Sequence, residues 1–184
     1  AASAWPSPAI SASRRRMPGS PSPIPTLRSA RIAVLPSSCH DWSAWDDTYD
    51  FIQSGDEKYI STNLGDPTFT TLSLNLVQYI DTSGSIVFEK AYDLHEERQV
   101  PIPDGLRQHL STDGILLNHP DPGSSMTGVL SLPEGPMLIA SMPILTSQGQ
   151  GPIHGTLIFG RFLNNAEVQR LARTTFSSLV VRDP

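Results

Sequence analysis

A single cysteine, Cys39, serves the whole 184-residue chain, which excludes an intrachain disulfide and any cage of cysteine thiolates around a metal. Lysine is nearly as scarce, with Lys58 and Lys90 the only two. Acids outnumber bases 18 to 13, giving a net charge of −5, and neutralising phosphates needs clustered Lys and Arg, so nucleic acid is not an expected partner. No run approaches the roughly 18 apolar residues that cross a bilayer. Apolar residues make up only 38% while prolines number 17 and glycines 13, so much of the chain is expected as loop or tail around one small core.

What is present divides in two. Residues 1–38 hold five arginines, seven prolines, nine serines and no acid, whereas residues 39–184 hold all 18 acids against eight basic residues. The first part lacks any sustained apolar period and predicts a disordered or non-native tail; within it only "RIAVL" is able to pair or pack. Its arginines and serines suit an organellar transit peptide, but the prolines interrupt the amphipathic helix such a peptide needs. Residues 39–184 are expected to form a single domain.

Order is expected to begin at Asp41, a helix-capping residue. In "DWSAWDDTYDFI" a 100° wheel places Trp42, Trp45, Tyr49 and Ile52 in one stripe, predicting a single helix with a buried aromatic face. Gly55 ends it, "DEKYISTNL" reads as a second short helix, and "DPTFTTLSL" as a further turn or irregular link. From Leu74 the period changes: "LNLVQYI" and "IVFEKAY" flank "DTSGS" as a hairpin. A long loop-rich segment, His95 to Ser125, carries a short helix near Leu106. "TGVLSL", "PMLIASMPIL" and "PIHGTLIFGRFL" read as a three-stranded meander, "NNAEVQRLART" as a closing helix and "FSSLVV" as a last short strand. The fold class is α+β: a five-stranded antiparallel sheet with helices packed on one face and the loop-rich segment over the other. Leu76 and Ile80 alternate with Val77 and Tyr79, and Leu157 and Phe159 with Ile158 and Phe162, so both faces are expected to be covered.

Together "DWSAWDDTYDFI", "YIDTSGSIVFEKAYD", "PMLIASMPIL" and "GQGPIHGTLIFGRFLNNAEVQRLA" resemble the fourth family of CHASE domains over roughly residues 41–181. The resemblance implies a PAS-like or Cache-like sensory module on the periplasmic or extracellular face of the membrane, in a membrane-anchored parent with histidine kinase or diguanylate cyclase output. It also implies a long entry helix along the sheet. Pro36 and the proline-rich stretch before it stand where that helix belongs, predicting it truncated or replaced. A homodimer through paired terminal helices fits the resemblance and is weakened by the same prolines.

Asp46 borders the aromatic stripe, and Arg161 shares a strand face with Leu157 and Phe159. A core-facing guanidinium needs a carboxylate or backbone acceptors, which predicts an Asp46–Arg161 clamp with Asp47 as substitute partner. The competing reading has Arg161 hold an anionic ligand. Tyr79, Tyr92, His95, Arg98 and His154 are the other candidate ligand contacts, expected on or beside the loop-covered face; for the tyrosines the alternative is core packing. "HEER" lacks metal-binding spacing, neither it nor Cys39–His40 completes a site, and no metal is expected. "PGSSMTG" is not a nucleophile elbow, consecutive Asp46 and Asp47 diverge by 100°, and the glycines near Gly149 do not open a helix. The expected function is therefore sensing by ligand binding, without catalysis or cofactor. A small hydrolase using the Asp-rich helix and a ligand-free interaction module are the alternatives.

Overall fold

A computed structural model describes residues 27–110, 114–165 and 168–169. Four helices come first: α1 (Leu27–Ser43), α2 (Asp46–Ser54), α3 (Glu57–Asn63) and α4 (Asp66–Leu72). β1 (Leu76–Asp81), β2 (Ile86–Asp93) and β3 (Arg98–Val100) follow, then the short α5 (Asp104–Arg107), β4 (Met126–Leu132), β5 (Gly135–Pro143) and β6 (Gly155–Phe162). The strands form one antiparallel sheet in the order β3-β2-β1-β6-β5-β4. The sixth strand is β3, whose three residues pair with Ala91–Asp93; "RQV" is too short to show an alternating pattern. The expected "FSSLVV" strand and most of the closing helix lie outside the described residues, though Asn165, Val168 and Gln169 are helical.

Two expectations about the first helices are corrected. Helix begins at Leu27, ahead of the boundary at residue 38, and α1 runs through Pro36. Leu35 and Cys39, spaced i and i+4, are fully buried, and α1 packs along β5 and β6. Burial of that stripe outweighs the hydrogen bond and the space that the proline ring denies the helix.

The second correction concerns "DWSAWDDTYDFI", which is two helices. Trp45 is extended (φ −133°, ψ 131°), and Ala44 forms a parallel bridge with Leu145, whose amide donates to Ser43 O at 2.9 Å. The break restarts the wheel at Asp46, so Thr48, Phe51 and Ile52 are the buried face of α2 and Asp46 is exposed. The rings still gather: Trp42 lies 6.0 Å from Phe159 and 6.1 Å from Trp45, edge-on in both cases. Gly55 ends α2 in the left-handed region (φ 64°), and Asp56 caps α3 by accepting from Lys58 N at 2.9 Å.

The alternation read from the strands holds. Val77, Tyr79, Leu157 and Phe159 face the helices in one core, and Leu76, Ile80 and Ile158 face the loop-rich segment in a second, which Leu106 and Leu116 cover. Gly160 is fixed by that second core, since a Cβ there would come within 2.8 Å of Met137 Sδ.

Candidate functional site

Arg161 is buried on the helix side of β6, as expected, but its guanidinium meets backbone. Nε donates to Ser73 O at 2.7 Å and an Nη to Leu72 O at 3.0 Å, the carbonyls at the end of α4. Asp46 instead exchanges two bonds with Ser147: its amide donates to Ser147 Oγ at 3.0 Å, and its Oδ1 accepts from Ser147 N at 2.8 Å. The predicted Asp46–Arg161 clamp is thus replaced by two separate fastenings. Asp47, the substitute partner, is exposed and lines a cleft of about 290 Å³ between α2 and α3.

The remaining candidates do not converge. Tyr79 and Tyr92 face the helices, so the placement beside the loop-covered face is corrected for both. Tyr79 is fully buried, its hydroxyl 3.2 Å from that of Tyr59, which in turn lies 2.6 Å from Thr48 Oγ1. Burial raises the pKa of both tyrosines. Tyr92 packs on Phe69 at 5.3 Å. His154 stacks on Tyr49 at 3.9 Å, with Nε2 2.9 Å from the phenol oxygen. His95 and Arg98 are exposed beyond β2, where Arg98 pairs with Glu96 and Asp93 accepts the His95 amide.

A different set is assembled on the loop-covered face. Glu89, Gln78, Ile158 and Ser141 pair in sequence across β2, β1, β6 and β5, so one row carries three polar side chains through a largely apolar surface. Gln78 has no exposure; its Nε2 donates to Glu89 Oε2 at 3.1 Å, and its Oε1 is buried with no hydrogen-bond partner. Exchanging the amide atoms would press a carbonyl against a carboxylate, so the orientation is fixed by charge. Arg107 of α5 stands 3.9 Å from Glu89 Oε1.

At the other end of the row, fully buried Ser141 donates to Leu116 O at 2.6 Å and lies 3.1 Å from His119 Nε2. His119 Nδ1 is 3.2 Å from Ser124 Oγ, whose own proton goes to Asp121 O. The ring thereby ties the loop-rich segment to β5, and burial lowers its pKa below the ordinary 6.5. Beside it opens a cleft of about 220 Å³ lined by Asp81, Thr82, Leu117, His119, Ile153 and Thr156. Thr156 pairs with Ile80, one same-face row from Gln78 and Ile158. At the strand rise that row lies about 7 Å away.

Gln78 gave a signal in the sequence: a glutamine inside "LVQYI", in a strand apolar on both faces, has to bury its amide. Ser141 in "IASMPI" gave the same signal more weakly. His119 gave none, because it sits on a loop whose path over the sheet no periodicity encodes.

The chain is 37% identical over 142 residues to the methanogenesis regulatory histidine kinase FilI of Methanothrix harundinacea, a match covering 77% of this chain and 16% of that protein. In fold it is similar to the extracellular domain of a protein assigned as histidine kinase vpHK1S-Z8. That likeness has a TM-score of 0.50 and 14% identity over 82% of this chain and 56% of the other. The Escherichia coli DcuS sensor domain aligns with a TM-score of 0.48 and 12% identity, over 79% of this chain and 97% of that domain. The family model of the CHASE4 domain matches residues 29–182, and the chain belongs to the CHASE4 domain family.

Proposed function

We propose that this chain is the ligand-sensing part of a membrane-anchored receptor, lying on the periplasmic or extracellular side and serving a histidine kinase or, alternatively, a diguanylate cyclase. Membership of the CHASE4 family and the kinase relative support the setting. Catalysis belongs to other parts of such a receptor, and a homodimer through terminal helices belongs to the same reading. The sensing site is the loop-covered face. One observation carries it: Gln78 Oε1, an acceptor buried without a partner on that face, one row below an open cleft. An unmet buried acceptor costs about 1–3 kcal/mol, and a ligand donor removes that cost only in the bound state. Binding then selects among positions of the segment that His119 fastens to β5.

The route outward is short. Ser141 and Ala140 are neighbours in β5; Ser141 carries the His119 contact, and Ala140 O accepts from the Cys39 thiol of α1 at 3.5 Å. A thermal-shift screen of small metabolites followed by hydrogen exchange tests the site. A true ligand raises the melting temperature and slows exchange over residues 101–125 and in α1. Ligands that protect only the cleft between α2 and α3 sink this reading.

A further inference from the structure

The polar groups of the loop-covered face are unequal in kind. Gln78 Oε1 accepts from nothing, and Glu89 Oε1 has only the half-open contact with Arg107 at 3.9 Å. The hydroxyl protons of Ser141 and Ser124 are spent on Leu116 O and Asp121 O, so a neutral His119, with one N–H, donates to only one of these two oxygens. Asp81, at the mouth of the cleft, brings a second carboxylate whose Oδ1 is already occupied by Ser83 and Ser85. The Thr82 and Thr156 hydroxyls that line the cleft are neutral donors, whereas two of these acceptors are carboxylates.

The described cations are mostly committed elsewhere. Lys90 holds Asp66 Oδ1 at 2.6 Å, Arg161 holds the end of α4, and Arg98 holds Glu96. Arg107 alone among them reaches this face, and its side chain is 64% exposed, so it is displaced without breaking a buried pair. A carboxylate or phosphate in the cleft would meet Asp81 in its lining and, one strand row further in, would approach Glu89, with only the loosely held Arg107 to offset their charge. An ammonium on the Gln78 row would meet an unmet amide carbonyl and, on the neighbouring strand, a carboxylate.

We propose that the ligand of this site carries a primary ammonium head that docks between Gln78 Oε1 and the Glu89 carboxylate, displacing Arg107. The inference rests on the reading of the loop-covered face as the sensing site and adds the chemical class of its occupant. Gln78 and Glu89 lie one strand row, about 7 Å, beyond the cleft lining, so the head reaches past the cleft and the cleft volume of about 220 Å³ limits the rest of the occupant to a small molecule.

The test uses three probes of matched size, propylammonium, propionamide and propionate, titrated at constant ionic strength into the chain and into its Gln78→Leu and Glu89→Gln variants. Calorimetry and melting temperature are the readouts. Propylammonium is expected to bind the parent best, and to bind Gln78→Leu roughly tenfold to hundredfold more weakly, the loss of one charge-assisted hydrogen bond. Gln78→Leu without ligand removes the unmet carbonyl together with the amide donor to Glu89 Oε2, so it should melt near the parent. Glu89→Gln, which keeps the shape, should lose preference for propylammonium over propionamide. Propionate binding that Gln78→Leu abolishes overturns the ammonium class and leaves the site standing. Propylammonium binding unchanged in both variants overturns the site as well. Silence from all three probes with the parent overturns the ammonium proposal, while the hydrogen-exchange experiment above still decides the sensing face independently.

Discussion

Arg161 shows how far one side chain can be read before its partners are known. The sequence dictates that a guanidinium on the core face of β6 must be satisfied, and it is, but by the carbonyls of Leu72 and Ser73 rather than by Asp46. Ser73 sits in the left-handed region at φ 55°, an uncommon conformation for a non-glycine residue, and its carbonyl takes the shorter bond. Arg161→Ala should therefore cost about 2–4 kcal/mol, since it strands two acceptors at a buried helix end. Arg161→Lys should recover part of this, because a single ammonium cannot present the same planar fork. Urea melts of both variants check the ranking; an Arg161→Ala chain as stable as the parent would show that water replaces the guanidinium. Gln78 was open to the same logic, since a polar side chain in a strand buried on both faces is a question the sequence itself poses. What remained hidden was which polar atom goes unmet, because that depends on a cross-strand neighbour fixed by register.

Strands were legible as elements because each face keeps a period of two residues, and that period does not depend on what covers it. Helices fared less well where tertiary contacts override local rules. The wheel drawn through Trp42, Trp45, Tyr49 and Ile52 assumed one axis, yet the chain breaks at Trp45 so that Ala44 can pair with Leu145. The residue that stabilises the new start, Ser147, is 101 positions away and accepts the Asp46 amide as an N-cap supplied from another segment. No capping pattern in sequence could reveal a cap of that kind. Ser147→Ala should cost about 1 kcal/mol and lower protection of the first amides of α2 in hydrogen exchange. Pro36 makes the complementary case: α1 persists through it on the strength of Leu35 and Cys39 packing. Pro36→Ala should stabilise the chain, by up to about 3 kcal/mol if the surrounding turn closes fully, as a thermal melt would read directly.

At the scale of the molecule, one sheet separates two cores of different chemistry. The loop side carries the unmet acceptor and the His119 tie, while the helix side buries groups that ionise only at high pH: the Cys39 thiol, Tyr59 and Tyr79. Burial is the first cause in all three and raises each pKa, for Cys39 from an ordinary 9.0 and for the tyrosines from 10.0. Below the ordinary values both folded and unfolded chains hold these protons, and stability does not depend on them. Above them the unfolded chain sheds protons that the folded chain retains, so stability falls as pH rises, by up to about 1.4 kcal/mol per pH unit for each group. Urea melts from about pH 7 to pH 10.5 should be flat with respect to these groups until near 9 and then decline. Cys39→Ala should move the onset toward 10, leaving the tyrosines to set it, and the parent thiol should react with a disulfide reagent only on unfolding. Rapid labelling of Cys39 in the native chain would mean that α1 leaves the sheet readily, and with it the buried contact through which a ligand on the far face could move that helix.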